Sequence, residues 1–387
     1  MQDQISQSFE LLATSSPLLF ASSHAPINAH FNKCSADFVV RELPLYDFSG
    51  DGEHLILHIQ KKDLTTPQAL SIISSATGAK IRDIGFAGLK DKQGLTSQFI
   101  SLPSAFENAL KHLNSDKLSI LNITKHNNKI RTGHLKGNSF FIRLKKVSTS
   151  DAVRLENAIN FISQNGVPNY FGFQRFGKFG DNALKGLELL NALNNGQKSK
   201  LNPKMQNFLL SAFQSELFNR YLSFRLKINH FAREFSAQEL AKIFNINKDD
   251  AKQIKAQKQF FKLIRGEVLG HYPSGALFLC ESLDDEIIAF NEKRKSPQIL
   301  LLGKKAFSSK DLGKELEDVV FAPFYIYESL LSGGRRHGVI YPSDISYKYD
   351  EQNAHFRLSF SLVKGAYATI FLREILRRDD ILYYQEE

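Results

Sequence analysis

Asn169-Tyr170-Phe171-Gly172-Phe173-Gln174-Arg175-Phe176-Gly177-Lys178-Phe179 sets five aromatic rings among two cations, two glycines and two side-chain amides. A core strand is the plain reading in a chain with 32 Phe. The glycines, Asn169, Gln174 and Arg175 argue against a purely apolar strand. Aromatic faces stack on bases and cations meet phosphates, so the block suits a held, unstacked nucleotide. Gly172 and Gly177-Lys178 also stand at phosphate-loop spacing. Phe179, however, occupies the place where that loop carries Ser or Thr for magnesium, and Phe173 and Phe176 would crowd a backbone cradle.

Working outward from this block, Asp151 to Gln164 reads as an amphipathic helix presenting Val153, Leu155, Ala158, Ile159 and Ile162, closed by Gly166. Before it the charge is one-sided. Between Asp116 and Asp151 no acidic residue occurs, while Lys117, Lys125, Lys129, Arg131, Lys136, Arg143, Lys145 and Lys146 do. Ser139 to Leu144 alternates as a strand with a basic outer face. A solvated sheet surface and an RNA-carrying surface are both consistent with that pattern. Farther upstream, Phe38-Val39-Val40 and Leu55-Ile56-Leu57 read as strands, and Pro67 to Thr77 as a helix with Pro in its first turn.

Between that helix and the next strand lies Gly85-Phe86-Ala87-Gly88-Leu89-Lys90-Asp91-Lys92-Gln93-Gly94-Leu95-Thr96-Ser97-Gln98. Asp and Gly are default turn formers, so a polar turn is the ordinary reading. The chemical reading places Asp91 between Lys90 and Lys92. Neighbouring cations keep a carboxylate ionised, as a nucleophile or base requires.

Downstream, Asn194–Pro203 interrupts the apolar pattern and marks a boundary. A long helix follows over Lys204–Leu226, burying Phe208, Leu209, Ala212, Phe213, Leu217 and Leu222. Ser236–Ala256 reads as helical and charged, and Leu263–Cys280 as a glycine-punctuated hairpin. Helices are expected near Ser309–Glu317 and Pro323–Leu331. Strands follow within Ser343–Val363, then a closing helix over Tyr367–Arg378. No internal repeat or low-complexity segment occurs.

At 387 residues the chain has room for two or three domains. With 42% hydrophobic and 23% charged residues it can build a large core, which excludes global disorder. Two cysteines, Cys34 and Cys280, exclude a disulfide framework and a Cys-rich zinc site, and fit a reducing compartment. His54 and His58 share a strand face, but no third ligand accompanies them, so no metal site is expected. The net charge of +10 favours an anionic partner. Met1 to Ser16 carries Asp3 and Glu10 and lacks the basic-then-apolar pattern of an export signal. No run approaches the roughly 18 apolar residues of a membrane span. Neither G-x-S-x-G nor G-x-G-x-x-G occurs.

Taken in order, the blocks resemble the tRNA pseudouridine synthase D (TruD) family. Asp37-Phe38-Val39-Val40-Arg41-Glu42 and Gly52-Glu53-His54 are similar to its N-terminal strands, and Gly88-Leu89-Lys90-Asp91 with Thr96 and Gln98 to its catalytic block. His126-Asn127-Asn128-Lys129-Ile130-Arg131 with Leu135-Lys136-Gly137-Asn138-Ser139-Phe140 resembles a further signature. Asn169-Tyr170-Phe171-Gly172 with Gln174-Arg175-Phe176-Gly177 is the most specific. Phe218-Asn219, Arg225-Leu226, Ala368-Thr369 and Arg373-Glu374 complete a likeness over nearly the whole chain.

The resemblance implies an α+β fold: a pseudouridine synthase catalytic domain, with a mixed, largely antiparallel sheet flanked by helices, and an inserted α/β domain. The catalytic domain would comprise residues 1–194 and 339–387, the insertion residues 195–338. It implies isomerisation of uridine to pseudouridine in tRNA, at uridine-13 of the glutamate tRNA, with no cofactor and no metal. Asp91 matches the catalytic Asp, acting at ribose C1′ or base C6. Phe171 matches the ring that stacks on the flipped uracil, with Asn169 beside it. Lys90, Lys129, Arg131 and Arg175 would contact phosphate or the site. The implied protein is a cytoplasmic monomer whose partner is tRNA. Two positions depart from the pattern. Gly94 stands where the family often has Ala, and the family's Lys six residues before the Phe of its D-F-x-V block falls here on Asn32, next to Lys33. An RNA-binding protein without activity and a phosphate-loop hydrolase are the competing readings.

Overall fold

The structure, a computed structural model, describes residues 10–12, 17–113 and 115–383. Apart from residues 10–12, the segment Met1–Ser16 lies outside them. The chain groups into two units. One, rich in strands, comprises Ile27–Asn157 and Pro342–Ala368. The other, rich in helices, comprises the described residues of Met1–Pro26, Ala158–Tyr341 and Thr369–Glu387.

The first part of the chain runs β1 (Phe38–Pro44), β2 (His54–Lys62), α1 (Thr66–Thr77), β3 (Gly85–Phe86), β4 (Leu95–Pro103), β5 (Leu118–His126), β6 (Leu135–Leu144) and α2 (Thr149–Asn165). There follow β7 (Val167–Pro168), α3 (Asn182–Asn194), α4 (Pro203–Glu234), α5 (Ala237–Phe244), α6 (Lys248–Ala256), β8 (Val268–His271) and β9 (Leu277–Leu279). Next come α7 (Leu283–Asn291), β10 (Lys295–Leu301), α8 (Asp311–Phe321), β11 (Gly334–His337) and β12 (Val339–Ile340). The last elements are β13 (Ser343–Asp350), β14 (His355–Val363) and α9 (Ala368–Leu376).

In the strand-rich unit the sheet order is β13-β14-β6-β1-β4-β2-β5, with β3 beside β4. Only β1 and β4 run parallel; the other pairs are antiparallel. The mixed, largely antiparallel sheet expected from the resemblance is therefore present. Its alternation explains one core layer. Leu55, Leu57 and Ile59 of β2, all with no exposed surface, pack with Leu70 and Ile73 of α1 and with Ile100 and Leu102 of β4. Helix α1 starts where Thr65 and Gln68 form a reciprocal capping box and ends at Gly78, whose φ is +77°.

β6 and β14 approach closely at Gly137, which pairs with Val363. A Cβ on Gly137 would lie 2.1 Å from the Leu362 carbonyl oxygen. Gly137→Ala is expected to destabilise the protein by about 1–3 kcal/mol, seen as a lower urea midpoint. An unchanged midpoint would mean that the two strands part at no cost.

The helix-rich unit holds a second antiparallel sheet, β11-β10-β8-β9. It is centred on α4, a helix of 32 residues capped by Asn202, which accepts from the Met205 N–H. The helix runs past Leu226 because Ile228 and Ala232, one turn apart, continue its buried stripe. Ser236–Ala256 is helical as expected, in two segments. Asn245 adopts a left-handed conformation at φ +52° and ends the first, and Asn247 caps the second. On α2, Leu155, Ala158, Ile159 and Ile162 are buried as expected, but Val153 is 55% exposed. Residues two apart on a helix face away from each other, so Val153 cannot share the Leu155 stripe. Fully buried Arg373 of α9 lies over the Phe20 ring and donates to the Leu18 carbonyl, while Glu374 accepts from the Ala21 N–H. Among the described residues no helix is long and apolar enough to cross a membrane.

Candidate functional site

In the strand-rich unit, Asp91 sits on the turn between β3 and β4, exposed to solvent. Among the described residues no hydrogen bond or ion pair holds its carboxylate. Its backbone surroundings are fixed. The Lys90 N–H donates to Thr66 Oγ1 at 2.9 Å, and Gln98 Nε2 donates to the Gly88 carbonyl at 3.3 Å. Thr66 in turn donates to Gln98 Oε1 at 2.9 Å, closing a small network around the turn. Gly94 ends the turn at φ +98°, where a Cβ would lie 2.7 Å from the Phe38 carbonyl oxygen. Glycine takes that conformation without strain, and alanine would not.

The charges around Asp91 differ from the Lys-Asp-Lys expectation. Lys90 turns its ammonium inward to Glu42 Oε2 at 2.6 Å and to Asn138 Oδ1 at 2.7 Å. Both partners of that ion pair are buried. The cation beneath Asp91 is instead Lys61, from the end of β2. Its Nζ donates to the Asp91 carbonyl at 2.6 Å. Burial pushes the Lys61 ammonium down to about 8, and the Asp91 carboxylate pulls the other way.

Lys129 and Arg131 line a cleft of about 470 Å³ with Tyr46, His126 and His134. The Tyr46 and His126 rings stack at 5.1 Å, and Lys129 Nζ donates to the Arg82 carbonyl at 2.6 Å. His126 pairs with His54, seven residues along β2 from Lys61. At about 3.3 Å per strand residue this puts the His126 wall roughly 23 Å from the Lys61 backbone. The basic run is also less free than its composition suggests. Arg143 and Lys145 both pair with buried Asp37 at 2.5 Å, and Lys125 with Glu107 at 3.0 Å. Burial opposes the Asp37 charge, but its bonds from Lys145 and Arg143 hold it below the usual carboxylate range.

In the helix-rich unit, Asn169, Phe171 and Arg175 lie together after β7. Buried Asn219 of α4 clamps the Phe171 backbone, accepting from its N–H at 2.8 Å and donating to its carbonyl at 3.1 Å. The Phe171 ring is 6% exposed and meets Phe218 edge-on at 5.2 Å. The Arg336 guanidinium lies 4.1 Å from the ring centroid and that of Arg175 5.4 Å. Arg336 also donates to Asn169 Oδ1 at 2.8 Å, and Asn169 Nδ2 donates to the His337 carbonyl at 2.9 Å. Pairing of β7 with β12 brings these segments together. The cluster gathers an aromatic ring, an amide and two guanidinium groups, the kinds of group that recognise a planar base with a nearby anion.

Of the residues singled out, Asp91 and Lys90 are therefore neighbours on one turn, and Lys129 and Arg131 share a separate cleft of the same unit. Asn169, Phe171 and Arg175 form the cluster of the other unit. Sequence reasoning missed Lys61 and Arg336. Lys61 continues the period-2 row of Leu55, Leu57 and Ile59, which was a usable signal. Arg336 follows two glycines in a stretch without periodicity and gave none.

The sequence matches the family model described as tRNA pseudouridine synthase D (TruD) over residues 17–194 and 185–375. A protein of Campylobacter jejuni named tRNA pseudouridine synthase D is 54% identical over 362 residues, 93% of this chain and 96% of that protein. One of the same name from Sulfurimonas denitrificans is 43% identical over 359 residues, 93% of this chain and 98% of its own. A crystal structure from Methanosarcina mazei, assigned to TruD, superposes with a TM-score of 0.63 at 18% identity, covering 96% of this chain and 98% of that one. The last likeness is one of fold.

Proposed function

The chain belongs to the tRNA pseudouridine synthase D family and is an isomerase that converts uridine to pseudouridine in tRNA; on that premise we propose that its target is uridine-13 of the glutamate tRNA and that Asp91 is its nucleophile. The observation that supports Asp91 as the nucleophile is its turn, an exposed, unpaired carboxylate on a backbone fixed by buried Thr66, Gln98 and Lys61, while the uridine-13 target is proposed from the family alone. In the isomerisation the N1–C1′ bond breaks, the uracil turns, and C5 bonds to C1′. The C5 proton leaves and N1 gains one. Attack by Asp91 at C1′ or at C6 both meet that balance.

Phe171 is proposed to stack on the flipped uracil, with Asn169 and Arg175 beside it. Lys129 and Arg131 are proposed to contact RNA phosphate, and Lys90 to support the turn through its pair with Glu42. The division into a catalytic domain of residues 1–194 and 339–387 with residues 195–338 inserted is proposed from the same family, as is a cytoplasmic monomer. The reaction draws on side chains alone in this reading, without a cofactor.

The test is tritium release from unmodified tRNA labelled at uridine C5, followed by mapping of the modified position. Release mapped to another uridine would refute the uridine-13 target. Base stacking is worth about 1–3 kcal/mol. Truncating the buried Phe171 to Ala would also cost about 3–5 kcal/mol of stability, so Leu is the better probe. Phe171→Leu is expected to lower kcat/KM about tenfold with little change in melting temperature. An unchanged kcat/KM would remove Phe171 from the site.

A further inference from the structure

The turn that carries Asp91 is tied down by three buried polar side chains. Gln98 and Thr66 have no exposed surface and Lys61 has 1%. Burying a polar group costs stability unless it is hydrogen-bonded, and burying a charge costs more. Lys61 stands on β2 in the row of Leu55, Leu57 and Ile59, which fills the core against α1. A Leu or Met would pack there at lower cost. Instead the apolar row ends in an ammonium. That ammonium donates to the Leu64 carbonyl at 2.5 Å, closing the turn after β2 where Asp63 has φ +54°. It also donates to the Asp91 carbonyl at 2.6 Å, joining positions 30 residues apart. Lys90 cannot fill this role, because its ammonium is paired with Glu42.

We propose that Lys61 is a positioning residue for Asp91: it holds the Asp91 carbonyl so that the carboxylate projects from a fixed backbone above a buried positive charge. This rests on the reading of Asp91 as the reacting carboxylate. A displacement of about 1 Å at a reacting group costs on the order of 100-fold in rate. Lys61→Met keeps the stem and its packing while removing the charge and the donors.

With C5-tritiated tRNA as substrate, Lys61→Met is expected to lower kcat about 100-fold. KM, the dissociation constant for tRNA and the melting temperature should stay near wild type. A residue that only supported the fold would lower the melting temperature without this split between kcat and KM. Lys61→Gln, which keeps an uncharged donor on a shorter stem, is the second variant and is expected to fall between the two. A kcat within threefold of wild type in Lys61→Met would overturn the proposal. Failure of both variants to fold would overturn it equally, since Lys61 would then hold the fold rather than the turn. The two readings separate cleanly. Turnover retained in Asp91→Ala removes the nucleophile, whereas turnover lost in Asp91→Ala but kept in Lys61→Met removes only the positioning role.

Discussion

Asp91→Ala is expected to bind tRNA as tightly as the wild-type protein while losing isomerisation by at least about 10⁴-fold. Removing the nucleophile of a covalent mechanism typically costs that much or more. The fold should not notice, because the carboxylate is exposed and no hydrogen bond or ion pair holds it among the described residues. Surface substitutions of that kind change stability by about 0.5 kcal/mol or less. Tritium release under single-turnover conditions, beside a filter-binding titration, checks both halves. A rate near wild type would sink the assignment of Asp91. Weakened binding at an unchanged rate would recast Asp91 as an RNA contact.

The second large effect concerns Glu42. Its carboxylate and the Lys90 ammonium meet at 2.6 Å, with side-chain exposures of 1% and 5%. Taking one partner from a buried pair strands the other charge, at a cost of about 3–5 kcal/mol. Glu42→Ala should therefore lose about that much stability in urea denaturation. The double variant Glu42→Ala with Lys90→Met should recover much of it, because replacing both charges with apolar groups is often neutral or better. A loss under about 1 kcal/mol in the single variant would mean that water reaches the pair. The double variant also tests Lys90 in recognition. If it binds tRNA like wild type, Lys90 serves the turn and not the substrate.

These effects show where the sequence was readable. Period-2 alternation located β6 and β14, short apolar runs located β1 and β2, and a proline in the first turn located α1, because burial of part of an element leaves a local trace. Val153 was misplaced against the helical period itself, and the break inside Ser236–Ala256 left no such trace. A left-handed Asn245 is a backbone state, and two helices separated by a few polar residues keep one apparent period. The candidate site stood out in the sequence around Asp91 and Phe171, in short blocks where polar and aromatic groups concentrate. Its electrostatics did not. Adjacent Lys90 looks like the partner of Asp91 in one dimension, yet a side chain on a turn can point inward, and Lys90 does. The cation that faces the turn comes from 30 positions away, across a strand pairing that no local pattern records. Arg336 over Phe171 is the same case over a longer span.

The pairing of β6 with β14 has a consequence for synthesis on the ribosome. β6 is complete at Leu144, but its partner on that side begins at His355. Roughly 200 residues must be translated in between, about 10–40 s at 5–20 residues per second. For that interval the nascent sheet presents one row of unmatched amides and carbonyls, the kind of edge that recruits strands from other chains. Gly137 lies on that row, with no side chain to shield it.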